Sequence, residues 1–87
     1  MHLQLILADR CASCEAAEAL WRDLAPRHGH TLEVLLASEP AGARLVRRLG
    51  LLSLPALVAG DKVRAVGLPT AADAAALLRA LECEDRC

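Results

Sequence analysis

The 87 residues are 55% apolar and carry a net charge of −1, which fits one domain, residues 1–87, with a modest core; a chain this short buries only about 60–65% of the surface its unfolded form exposes. Trp21 is the only aromatic residue, so there is no stacking platform for bases and no basic field for phosphates, and nucleic acid is not an expected partner. No early segment joins a basic start to a long apolar run, and the longest apolar stretch, 49–60, is too short to span a bilayer and holds Pro55, so a cytoplasmic protein with no membrane partner is expected.

The first strand is expected from Leu3 to Ala8. Leu3, Leu5 and Leu7 alternate with Gln4, and Ile6 breaks the alternation, so both faces are mostly apolar, as in a central strand covered on both sides. Asp9-Arg10-Cys11-Ala12-Ser13-Cys14-Glu15 follows, where that strand turns into a helix running from about Ala12 to Arg27. Ala17, Leu20, Trp21 and Leu24 recur at helical spacing and face the core, while Glu15, Glu18, Arg22 and Asp23 take the other face. Pro26 and Gly29 are stop signals. His28-Gly29-His30 reads as a solvated loop, with metal ligation by the H-x-H pair the alternative.

A second strand is expected over Thr31 to Ala37. Ser38 offers an N-cap and Glu39-Pro40 a first helical turn. This helix extends to about Leu49, with Leu45, Val46 and Leu49 inward, Arg44, Arg47 and Arg48 outward, and Gly50 as the stop. The arginines read as a solvated face or a docking patch for an acidic partner. Ala56 to Ala59 and Lys62 to Val66 form a hairpin around Gly60-Asp61. After Gly67, Leu68 and Pro69, Thr70 caps a last helix from Ala71 to Leu81. Cys83 and Cys87 follow it in a tail expected to be frayed and idle, with a second redox pair or metal ligation the alternatives. The order is β-α-β-α-β-β-α, an α/β fold with a four-stranded mixed sheet and helices on both faces. There is no internal repeat, linker or low-complexity segment.

The chemistry concentrates at Cys11 and Cys14. The first N–H groups of a helix lack intrahelical acceptors, and its N-terminus carries positive partial charge. A thiolate is stabilised there, so Cys11, with Arg10 beside it, is expected to be the more acidic and more nucleophilic thiol. Cys14 lies one turn further in, on the same side, within reach of a disulfide. C-x-x-C after a strand, in a chain that alternates strands and helices, reads as a redox pair. Cytoplasmic thiols stay reduced, which favours catalysis or metal binding over a structural disulfide.

This order resembles the thioredoxin fold in its short, glutaredoxin-sized form. Leu49-Gly50-Leu51-Leu52-Ser53-Leu54-Pro55-Ala56-Leu57 is similar to the family segment Tyr-Gly-Ile-x-x-Ile-Pro-Thr, whose proline follows a cis bond. Glu39-Pro40 resembles the Asn-Pro that opens the preceding helix, and Gly67 falls where the family has a glycine after its hairpin. The similarity covers nearly the whole chain. It implies a thiol–disulfide oxidoreductase with Cys11 as nucleophile, Cys14 as resolving thiol and Pro55 as the cis-proline. Leu54, Pro55 and Arg10 would bind substrate, the N–H and C=O of Leu54 by strand addition. The substrate would be a disulfide-containing protein or small thiol compound, restored by an external reductant, a reductase or glutathione. No cofactor or metal is implied. The family's Trp-Cys-Gly-Pro-Cys is here Arg10-Cys11-Ala12-Ser13-Cys14, and Leu5 stands where thioredoxins carry a buried acid.

Two other classes compete. A metal-binding module for zinc or copper also places C-x-x-C at a strand–helix junction, but in the order β-α-β-β-α-β. A non-catalytic adaptor would keep the fold for docking alone.

Overall fold

A computed structural model describes the backbone of residues 1–86 and the side chains of residues 1–85. The elements are β1 (His2–Leu7), α1 (Ala12–Arg27), β2 (Thr31–Leu36), α2 (Pro40–Leu49), β3 (Ala56–Ala59), β4 (Lys62–Val66) and α3 (Ala71–Arg86). This is the thioredoxin-like order expected from the sequence. The strands form one mixed sheet in the order β2-β1-β3-β4. β1 runs parallel to β2 and antiparallel to β3, which pairs antiparallel with β4. A parallel neighbour requires a long crossover, and α1 supplies it.

β1 lies inside the sheet, and its side chains divide between two cores. Leu3, Leu5 and Leu7 pack with Ala17, Trp21 and Ala25 of α1 and with Ala74, Leu78 and Leu81 of α3. Ile6 points to the other face, where it meets Val58 and Leu45, with Leu35, Val46 and Leu49 around them. The two-sided burial of β1 therefore follows from helices on both faces, and each fully buried Leu or Ile contributes about 1.5–3 kcal/mol.

Local chemistry explains the boundaries. Pro26 sits inside the last turn of α1, His28 is the C-cap, and Gly29 takes a left-handed φ of 76°. Gly50, φ 64°, caps α2. Gly60 and Asp61 both have φ 61°, the paired left-handed residues that a two-residue hairpin turn needs. Thr70 Oγ1 accepts the N–H of Asp73 at 3.1 Å at the start of α3.

Three expectations are corrected. The N-cap of α2 is Glu39, not Ser38, and Pro40 occupies the first helical position. Glu39 also folds back, with its carboxylate 3.4 Å from the N–H of Leu36. His30 is not solvated: it is 4% exposed, and its Nε2 donates to the carbonyl of Leu78 at 3.0 Å. His28, half-buried, has Nδ1 2.9 Å from Glu82. The stretch after Leu81 is not frayed, because α3 continues as helix through Arg86. Polar contacts from distant segments hold it: Glu82 to His28, Glu84 to Arg64, and Asp85 to the N-terminal ammonium of Met1 at 3.1 Å. Cys83 is exposed on this last turn. The expectation for Cys87 lies outside the described residues.

Candidate active site

The chain leaves β1 at Leu7 and enters α1 at Ala12. Reversing direction in so few residues puts Arg10 in the left-handed region, φ 55°, which costs a non-glycine residue about 1–2 kcal/mol. Cys11 follows as the N-cap of α1, with extended backbone at φ −119° and ψ 112°. Its sulfur takes the place of the usual capping oxygen and accepts the N–H of Cys14 at 3.2 Å. The hydroxyl of Ser13 lies 3.2 Å from the same sulfur. Cys11 is half-buried, whereas Cys14 is 3% exposed and packs into the core beside Leu5 and Leu7.

The two thiols are free, so the structure describes the dithiol form. Their environments push them apart. Hydrogen bonding from the Cys14 thiol holds Cys11 below the ordinary thiol range, followed by the Ser13 hydroxyl and the N–H groups of Cys14 and Ser13, against a partial desolvation. Burial pushes Cys14 up, as does donation to Cys11, while the N–H of Ala8, 3.4 Å from its sulfur, opposes the rise. The direction for Cys11 is the one expected from its place at the helix terminus. The leading causes are local hydrogen bonds, and Arg10 is not among them. Leu5 is fully buried. Among the described residues no carboxylate hydrogen-bonds Cys14, and Glu15 is exposed.

The Leu54–Pro55 peptide is cis. Pro55 is buried, its carbonyl accepts the N–H of Gly67 at 2.8 Å, and Ala56, the next residue, pairs with Ile6 near the end of β1. The register therefore brings Pro55 to the end of the sheet from which the Asp9–Cys11 turn departs. Leu54 packs its side chain on the α2 side, against the Ile6 cluster. Arg10 is exposed beside Cys11 and makes no ion pair among the described residues. Ser13 and the N–H of Ala8 were not anticipated. The hydroxyl at Ser13 is a signal in the sequence, but whether it points at a sulfur depends on its rotamer. The N–H of Ala8 carries no residue-type signal at all.

Residues 1–79 match the family model of the thioredoxin domain. The chain belongs to the thioredoxin-domain family. No curated protein matches it significantly. Membership in this thioredoxin-domain family and the Cys11–Cys14 pair together support a redox or thiol-related role. Among the described residues no group of three or more His, Cys, Asp or Glu side chains is placed to hold a metal ion, and no helix is long and apolar enough to cross a membrane.

Proposed function

We propose that this thioredoxin-domain protein is a thiol–disulfide oxidoreductase, a disulfide reductase working through Cys11 and Cys14. The observation that carries the reading is the asymmetry of the pair. One sulfur is accessible and held toward thiolate, and the other, one helical turn on, is buried and held as thiol. That division suits a nucleophile and a resolving group. The Cys11 thiolate attacks one sulfur of a substrate disulfide, forming a mixed disulfide and releasing the first substrate thiolate. Cys14 then loses its proton and attacks the Cys11 sulfur. The Cys11–Cys14 disulfide forms, the second substrate thiolate leaves, and each released thiolate takes up a proton. Two electrons pass to the substrate, and an external thiol or dithiol reductant restores the pair.

Leu54, Pro55 and Arg10 are assigned to substrate binding. Among the described residues the turn and cap bonds leave the N–H and C=O of Leu54 free, which suits pairing with an extended substrate segment. Arg10, exposed and adjacent to Cys11 in the chain, would contribute a charged contact to the substrate. A cytoplasmic setting, where thiols stay reduced, suits the dithiol form. The zinc or copper reading is less well supported, because the element order is β-α-β-α-β-β-α and not the β-α-β-β-α-β of the metal-binding module.

Turnover of insulin disulfides in the presence of dithiothreitol tests the proposal. Wild-type protein should accelerate reduction, and Cys11→Ser should abolish the acceleration. Cys14→Ser should trap a mixed disulfide on Cys11, visible by mass spectrometry. Equal rates for wild type and Cys11→Ser would overturn the reading.

A further inference from the structure

α2 covers the sheet face opposite α1 and α3, and its charge is one-signed. Its ten residues contain Arg44, Arg47 and Arg48 and no acid. α1 and α3 together contain seven carboxylates against four arginines, a net of −3. Three of the ten basic side chains of a chain of net charge −1 are thus gathered on this one helix.

The shape of that face adds to the charge. β1 is longer than the part of it that α2 covers. Ile6 lies under the helix, but Gln4, two residues earlier on the same face, lines an open groove with Ala41, Arg44, Leu45, Arg47 and Arg48. The groove has a volume of about 610 Å³, and its lining side chains among the described residues include no carboxylate; Glu33, the neighbour of Gln4 on β2, lies at its margin and accepts from the Gln4 amide at 3.4 Å. Arg44 and Arg47 make no ion pair among the described residues, and Arg48 reaches only Asp61, at 2.8 Å, with both side chains well exposed. An exposed pair of this kind contributes little to stability, so Arg48 can exchange Asp61 for another carboxylate at little cost. Stabilisation of the helix terminus accounts for Arg47 and Arg48, which sit in the last turn. It does not account for Arg44, in the middle of the helix.

We propose that this groove docks an extended, carboxylate-rich segment of a protein partner. Guanidinium groups take carboxylates in paired hydrogen bonds, and Leu45 offers an apolar contact between them. A nucleic acid does not fit. The groove holds no aromatic side chain on which a base could stack. The proposal stands apart from the dithiol chemistry, since neither cysteine takes part.

Binding of a fluorescein-labelled hexaglutamate peptide to the full chain, followed by fluorescence anisotropy, tests it. Wild type should bind, with affinity falling as salt rises, unlabelled hexaglutamate should displace the probe, and fluorescein-labelled hexalysine should not bind. Arg44→Glu with Arg47→Glu should weaken binding at least tenfold. Arg22→Glu with Arg79→Glu, the same change in net charge outside the groove, should change it less than twofold. If the first double variant loses its circular dichroism or melting transition, Arg44→Gln with Arg47→Gln replaces it and should weaken binding at least threefold. No binding at millimolar peptide, or equal losses for the two charge-reversed variants, would overturn the proposal. So would displacement of the peptide by equimolar inorganic phosphate, which would mark a single-anion site.

Discussion

The hydroxyl of Ser13 and the sulfur of Cys11 lie 3.2 Å apart across the first turn of α1. When Cys11 ionises, the hydroxyl can donate to the thiolate, and a hydrogen bond to the charged form favours it. Ser13→Ala should therefore raise the midpoint of the Cys11 alkylation profile while the protein stays folded. Iodoacetamide rates measured from pH 5 to 10, with mass spectrometry to assign the site, give that midpoint. A midpoint identical to wild type would show that the hydroxyl points elsewhere in solution.

The pair as a whole should leave a signature in stability against pH. Cys11 is depressed in the folded state. Its contribution is present above the unfolded thiol value of about 8.5 and is lost as pH falls through the folded value. Cys14 is raised. Its contribution is present below the unfolded value and is lost as pH rises through the folded one. The difference in unfolding free energy between reduced wild type and a Cys11→Ser/Cys14→Ser variant should therefore peak near pH 8.5 and decline on both sides. Because the two sulfurs interact, the fitted values belong to the pair. A difference that stays flat from pH 6 to 10 would contradict both directions.

Gly42 should not tolerate a side chain. A Cβ there would lie 2.0 Å from the carbonyl oxygen of Leu36, a backbone atom that cannot move aside alone. Alanine is the better helix former by about 1 kcal/mol, yet the clash should dominate, with a net loss of about 2–3 kcal/mol for Gly42→Ala. Urea unfolding at constant slope would measure it. A stabilised Gly42→Ala would mean that α2 rests further from the end of β2.

Arg64 grips Glu84 through both terminal nitrogens, at 2.8 and 2.9 Å, while its Nε donates to the carbonyl of Ala59 at 3.0 Å. The arginine is largely buried and the glutamate half-exposed. A double-mutant cycle with Arg64→Ala and Glu84→Ala should give a coupling of about 0.5–1 kcal/mol. Arg64→Ala alone should cost more than Glu84→Ala, because it also removes buried stem and the bond to Ala59. A coupling within error of zero would remove this pair as a reason for the helical end of α3.

Much of the fold was legible because its signals are local. Two apolar faces on β1, a helical period through Ala17, Trp21 and Leu24, and turn residues at Gly50, Gly60 and Asp61 all act within a few positions of themselves. The C-x-x-C spacing was legible for the same reason: both cysteines sit in one turn of one helix. The differences fall where two local signals one residue apart competed, or where the deciding partner is distant. Ser38 is the better capping residue by type, but Pro40 is favoured at the first helical position, which puts the N-cap at Glu39 with no side-chain cap bond.

The sequence by itself determined the elements, their order, and which two sulfurs can meet, because chain geometry within a turn settles those. Only the tertiary structure decided which histidine is buried, since His30 needs the carbonyl of Leu78, 48 residues away, to satisfy it. It also decided that the chain after Leu81 stays helical, through partners at Met1, His28 and Arg64. The same holds for the arginines of α2. Their charge is written in the chain, but the groove between them and Gln4 exists only once α2 lies across part of β1 and leaves the rest uncovered.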